Sequence, residues 1–258
     1  MLLIASSHVL CYNRIYLINE KKMSILTENQ ALDIYRKYLA NLKLDYNSQL
    51  RRPCREAIAK AMYKTHQAQK NSASQIIQSH IDDGKKVWFW SDQHFNHHNI
   101  IRYSSRPFDS VAHMNNTMLS NYHANVKQED LVVFGGDIAF GEVAKIKHQL
   151  EALPGKKVLI IGNHDFEKNQ LYFRDFGIFQ ATAMSAAFHW KVEGIVCNIL
   201  LSHYPIDNEY LPENTLNVHG HIHQYQADKK NLNVSVEHTD YAPMDIKPVI
   251  EQMFAQYC

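Results

Sequence analysis

The chain is poor in the features that define several protein classes. Its four cysteines, Cys11, Cys54, Cys197 and Cys258, are scattered without a paired spacing. That excludes a disulfide-dense scaffold and reads as free thiols in a reducing compartment. The formal net charge is only +1 over 258 residues, so nothing in the bulk balance calls for nucleic acid or an anionic membrane. The apolar opening, MLLIASSHVLCYNRIYLI, lacks a basic leader and is too interrupted to span a bilayer. A folded cytoplasmic chain without a membrane partner is therefore expected. Repeats and low-complexity tracts are missing too. Charge is uneven, however: residues 1–84 carry 12 Lys and Arg against 7 Asp and Glu, and the remainder 15 against 19. A solvated helical surface explains the basic part at least as well as a polyanion contact does.

What the chain has in excess is histidine, sixteen in all, several in tight groups. Before these groups begin, the sequence reads as helical. TENQ at Thr27–Gln30 is a capping-box pattern, and Ala31, Ile34, Tyr35, Tyr38, Leu39 and Leu42 follow at helical spacing. A second helix is expected after Pro53, and a third over about Ser74–Ile81, stopping near DDG. The pattern then changes. Val87–Trp90 is a dense run of β-branched and aromatic residues, the mark of a buried strand. A helix is predicted from about Asp109 to Tyr122, a strand in DLVVF, a helix with Val143, Ile146 and Leu150, and a strand in VLII. Strands in AFHWKV, VCNILLSH, LNVHGHIH and LNVSVEH precede a closing helix around PVIEQMFAQY. Strands and helices that alternate, then mostly strands, favour a layered α/β fold.

Polar groups recur after the predicted strands: Asp92 and His94 in SDQH, Asp137 in GGD, Asn163, His164 and Asp165 in GNHD, His203 in LSH, and His221 and His223 in GHIH. Layered α/β folds place ligands at such strand ends. Carboxylate, imidazole and amide without cysteine suit borderline or hard divalent ions rather than a thiolate zinc finger. In extended backbone, residues two apart face one side, about 6.6 Å apart along the chain. Asp92 with His94, and His221 with His223, can each aim two ligands into one cavity. Two ions about 3.5–4 Å apart would suit them, with Asp137 as the bridging carboxylate. Gly135, Gly136, Gly162 and Gly220 adjoin these residues, where the backbone must turn or approach closely.

DQH, GGD, GNHD, SH and GHIH, in that order from Lys86 to the C-terminus, resemble the calcineurin-like metallophosphoesterases. The resemblance implies a four-layer α/β/β/α sandwich over residues 86–258; the mainly helical extension, 1–85, lies outside it. It implies two divalent metal ions, one held by Asp92, His94, Asp137 and His223, the other by Asp137, Asn163, His203 and His221. It makes His164 the acid near the leaving group, oriented by Asp165. Gln93 should point away from the metals. WFWSDQHFNHHNIIRYSSRPF with HMNNTMLSNYHANV is similar to a branch of small bacterial and phage members, in which His97, Arg106 and Asn115 would lie near the site. Arg106 would hold a phosphate oxygen through its donor fork or form a structural salt bridge, and the two readings stand level. His98 and His219 are weaker candidates, His219 fitting a supporting or surface position better than a ligand one.

The expected chemistry is phosphoester hydrolysis, in which a metal-bridging hydroxide attacks phosphorus and His164 assists the leaving group. A phosphomonoesterase of broad or small-molecule specificity leads. A cyclic-nucleotide or small-nucleotide phosphodiesterase comes next, with a nuclease behind it, since no aromatic-basic interleaving marks a nucleic-acid groove. A metal-dependent scaffold is the non-enzymatic rival, and the complete ligand set argues against it. Mixed N and O ligands admit Mn, Fe, Zn, Co or Ni, with manganese the leading choice. The substrate partner is a phosphorylated small molecule or a nucleotide.

Overall fold

The computed structural model describes residues 71–165 and 177–257. The helices expected at Thr27–Leu42 and after Pro53 lie outside the described residues. The described residues within 71–208 and 213–257 belong to one compact unit. Its helices are α1 (71–82), α2 (His98–Tyr103), α3 (Val111–Asn125), α4 (Val143–Glu151) and α5 (Lys247–Tyr257). Its strands are β1 (Val87–Trp90), β2 (Leu131–Phe134), β3 (Lys156–Ile160), β4 (Ala181–Ala183), β5 (Ser185–Val192), β6 (Ile195–Ser202), β7 (Thr215–His219), β8 (Asn231–Asn233) and β9 (Met244–Asp245).

Two mixed sheets result, ordered β4-β3-β2-β1-β9 and β5-β6-β7-β8. In the first, β1 to β4 run parallel and β9 closes the edge antiparallel to β1. In the second, β5 pairs antiparallel to β6, and β6, β7 and β8 are parallel. The period-2 alternation of β1 explains why both its faces are apolar. Val87 and Phe89 join a core shared with the second sheet, where Phe89 stacks on Phe188 at 6.0 Å between ring centroids. Trp88 and Trp90 face the other way, into a core with Met114, Met118 and Tyr122 of α3 and Ile146 and Leu150 of α4. The architecture is thus a pair of packed sheets flanked by helices.

Ser110 caps α3 by accepting the His113 N–H, so that helix begins two residues later than its periodicity predicts. The short helix α2 and the strands β4 and β9 have no clear sequence pattern. Of LNVSVEH only the beginning is strand, and Val236–His238 turns as a short 3-10 segment.

The third predicted helix, α1, is packed into the sheet unit. Ala73 and Ile77 are fully buried in the inter-sheet core, and burial of a side chain like Ile77 stabilises by about 1.5–3 kcal/mol. Its polar side chains cover the free edge of β5. Ser74 accepts the Ala187 N–H, and the Gln78 amide both accepts the His189 N–H and donates to the His189 carbonyl. Ser74 and Gln78 are one helical turn apart, matching the two-residue repeat of the edge groups they satisfy.

The sheets are joined where their parallel strands end. Beyond β1, Ser91 donates its N–H to Val234 and its carbonyl accepts from Val236 N–H. The segment after β8 is thereby pinned to the end of β1, and the C-terminal ends of both sheets converge.

Candidate metal centre

Four predicted ligands, Asp92, His94, His221 and His223, depart from the extended geometry expected of them, and Asp137 shares their backbone form. Asp92, His94, Asp137, His221 and His223 all have positive φ, between 49° and 69°. Such backbone costs on the order of 1–3 kcal/mol per residue, and Asp and His are among the residues that tolerate it. Hydrogen bonds hold it in place: Asp92 N–H donates to the Gly136 carbonyl and His94 N–H to the Asp137 carbonyl. The convergence of Asp92 and His94 therefore comes from a kinked loop, not from strand alternation. His221 and His223 also leave the extended form, and they separate into different groups.

Those groups are Asp92, His94 and His223, and Asp137, His203 and His221, the potential ligand atoms of each lying within 4.8 Å of one another. Between them sits Asp137 Oδ2, 3.6 Å from His94 Nε2 and 3.5 Å from His203 Nε2, where a bridging carboxylate belongs. Asn163 Oδ1 is 3.1 Å from His203 Nε2, so the amide reaches the second group.

The donors fit divalent ions on a direct test. Asp92 Oδ2 accepts from Ser91 Oγ, Ser235 Oγ and His221 N–H at 2.6, 3.0 and 2.9 Å. Its Oδ1 is buried without a hydrogen-bond partner, and so are both ring nitrogens of His94. Buried polar atoms left unpaired are costly, and a cation removes that cost. The supporting bonds also select the ligand nitrogen: His203 Nδ1 lies 2.8 Å from the Gly135 carbonyl and His223 Nδ1 3.0 Å from Glu237 Oε1, which leaves Nε2 of each ring for an ion.

Glycine is required at Gly220, where a Cβ would collide with Asp92 Oδ2 and Ser91 Oγ. Gly220→Ala should therefore displace Asp92 and lower bound metal, measured by elemental analysis after gel filtration. Full metal content in this variant would show that the loop tolerates the methyl group.

Without ions the site is electrostatically polarised. Burial pushes His94 down to about 2 and His221 down to about 3. Burial also opposes charge on His203, but the Asp137 and Asp92 carboxylates outweigh it and push His203 up to about 10. Metal-free His203 is thus protonated at neutral pH, whereas a ligand imidazole must be neutral. Ion uptake at pH 7 should then release about one proton from this residue, and affinity should climb as pH rises toward about 10. Calorimetry in buffers of different ionisation enthalpy measures that release, and a zero value would contradict the assignment.

The remaining predicted residues divide. His164 is exposed beside His94, with ring centroids 5.5 Å apart, and its N–H donates to Asp137 Oδ1 at 2.8 Å. Asp165 does not orient that ring: its carboxylate accepts backbone N–H groups from Asp137, Gly162 and Ile138. It braces the Asp137 loop instead. His97 stacks on Phe140 at 4.3 Å, beside His94. Asn115 forms an amide pair with Asn96 and lies just outside this group.

Arg106 is not available to phosphate. Its side chain is buried, and its nitrogens bond Glu237 Oε1, the Gln93 carbonyl, the Asp92 carbonyl and Met114 Sδ. Of the two readings of this residue, the structural one is correct. Of the two positions expected for His219, supporting or surface, the structure excludes the surface: it is buried in β7, with Nδ1 2.8 Å from the Gly220 carbonyl. Gln93 is likewise wholly buried.

Glu237, Ser91 and Ser235 escape a motif-based reading. An acidic residue inside the apolar run LNVSVEH is the one available sign, since a buried carboxylate needs partners. Asn233 also serves the site, donating to the His223 and Tyr225 carbonyls.

Residues 85–255 match the family described as calcineurin-like phosphoesterase, and the chain belongs to that family. Its fold and its paired ligand groups are those of a metal-dependent phosphoesterase with a dinuclear site. The chain is 32% identical over 182 residues to the uncharacterized protein MJ1445 of Methanocaldococcus jannaschii, covering 65% of this chain and 90% of that protein. It is 26% identical to the gene 66 protein of Mycobacterium phage L5, over 53% of this chain and 77% of the phage protein. Among crystal structures, the protein of unknown function AQ665 from Aquifex aeolicus superposes with a TM-score of 0.51 at 28% identity, over 65% of this chain and 99% of that one. Among the described residues, no helix is long and apolar enough to cross a membrane.

Proposed function

We propose that this centre hydrolyses phosphomonoesters of small molecules, with broad specificity. The observation that carries the reading is Asp137 Oδ2 set between His94 and His203, with His164 exposed at the same rim. Asp92, His94, Asp137 and His223 would hold one ion, and Asp137, Asn163, His203 and His221 the other. Two divalent ions, when bound there, supply charge to stabilise the phosphoryl oxygens and activate water; manganese is the first choice to test. His164 gives or shares a proton at the leaving oxygen. Its exposure at the rim, with its backbone N–H tied to Asp137 Oδ1, supports this role. With Arg106 committed elsewhere, recognition of the phosphoryl group rests on the ions and the histidines. The division between an N-terminal extension and a phosphoesterase domain belongs to the same proposal, with α1 on the domain side of the boundary expected at residue 86, as does a cytoplasmic setting.

His164→Ala should cut turnover by about 10²–10⁴-fold while leaving most metal bound. Normal turnover on every phosphoester tested would remove His164 from the acid role. A second reading, a small-nucleotide or cyclic-nucleotide phosphodiesterase, is favoured by the stacked His97 and Phe140, with Phe140 5.1 Å from His164. These rings offer a base a flat partner. A screen of metal-reconstituted protein against monoesters, linear diesters and 2′,3′- and 3′,5′-cyclic nucleotides separates the two. Strong diester cleavage with negligible monoester turnover would overturn the first.

A further inference from the structure

The two ligand groups are supported from behind by different chemistry. In the group of Asp137, His203 and His221, the His203 ring is backed by a neutral carbonyl, that of Gly135. In the group of Asp92, His94 and His223, the His223 ring is backed by a carboxylate, that of Glu237. Glu237 is itself gripped by Arg106, whose Nε and Nη2 both reach Oε1, at 2.9 and 2.8 Å. The same guanidinium donates to the carbonyls of Asp92 and Gln93, the segment that carries the other two ligands of this group. One buried ion pair therefore touches both segments that carry the three ligands of this group, the bridging Asp137 lying outside its reach, and among the described residues Glu237 has no hydrogen bond or ion pair with His203 or His221.

We propose that Glu237, anchored by Arg106, is a positioning residue for the ion of the Asp92–His94–His223 group alone. It holds His223 with Nδ1 as donor and Nε2 facing the ion, and through Arg106 it locks the kinked Asp92–Gln93–His94 loop against that ring. A carboxylate behind a ligand imidazole fixes its tautomer and strengthens its donation, and loss of such a partner typically costs 10–100-fold in metal affinity. The charge of Glu237 is needed as well as its shape, because a neutral amide of the same size leaves the Arg106 guanidinium buried without its anion.

The inference rests on the two-ion reading of the site and not on the substrate, so its test avoids turnover. The full-length chain, stripped of metal, is titrated with Mn²⁺ alone by competition with a chelating dye, beside E237Q and E237D. E237Q should weaken one of the two binding events by about 10–100-fold and spare the other. E237D, which keeps the charge, should recover part of the loss. Equal weakening of both events, or of neither, overturns the proposal, as does E237D behaving like E237Q. Circular dichroism of the metal-free variants checks folding. If the variants do not fold, the wild type still decides: loaded with Zn²⁺, it should show His223 bound through Nε2 with a retained Nδ1–H in long-range ¹⁵N–¹H spectra. Coordination through Nδ1, or loss of that proton, overturns the proposal. No uptake of divalent ions by the wild type would instead sink the two-ion reading itself, and inactivity on monoesters would leave every one of these titrations unchanged.

Discussion

Asp137→Asn is expected to lower turnover by at least about a thousandfold, equivalent to ~4 kcal/mol of barrier, and to reduce bound metal at the same time. The substitution keeps the size of the side chain and the Oδ1 acceptor for His164 N–H. What it changes is Oδ2, the oxygen within 3.6 Å of both His94 and His203. An amide nitrogen there brings hydrogens where two cations must share a lone-pair donor, and it removes the negative charge that offsets their mutual repulsion. Metal content by elemental analysis and turnover at saturating metal should fall together. Unchanged values for both would exclude Asp137 as the bridge.

Arg106→Ala is expected to destabilise the protein rather than weaken substrate binding selectively. Its side chain is fully buried, and Glu237 is left without its cation. Removing one partner of a buried pair costs about 3–5 kcal/mol, which in a protein of this size lowers Tm by about 6–20 °C. The Asp92 and Gln93 carbonyls also lose their donor, so metal binding should fall with stability. A phosphate clamp would behave differently: KM would rise while the melting temperature of the metal-free protein stayed the same. Differential scanning calorimetry of the metal-free protein, with steady-state kinetics, separates the outcomes. A raised KM with no change in Tm would reinstate the substrate role.

The candidate metal-binding residues are legible in the chain because their chemistry is local. Asp92, His94, Asp137, His203, His221 and His223 all follow apolar runs, and strands end in loops whose side chains are free to bind. His203 is visible after a strand for that reason, although it lies far from Asp92 in sequence. The backbone that delivers these side chains is not legible. Alternation in extended chain predicts a shared direction for Asp92 and His94, and for His221 and His223. The structure instead places all four at positive φ, and divides the last two between the two groups as the family resemblance implies. Left-handed backbone at non-glycine residues is stable only where surrounding hydrogen bonds compensate it, and the Gly136 and Asp137 carbonyls that do so here come from another strand end.

By itself, then, the sequence determined a layered α/β fold, the order of its principal strands, and a set of nitrogen and oxygen ligands for two divalent ions. These depend on hydrophobic period and residue chemistry, both written in neighbouring positions. Only the tertiary structure decided that Glu237 backs the His223 ring, that Arg106 serves Glu237 and the Asp92 loop rather than a phosphate, and that Asp165 braces backbone rather than the His164 ring. Each of those is a contact between distant segments, made when burial forces a polar group to find a partner. For Arg106 that partner, Glu237, lies 131 residues along the chain.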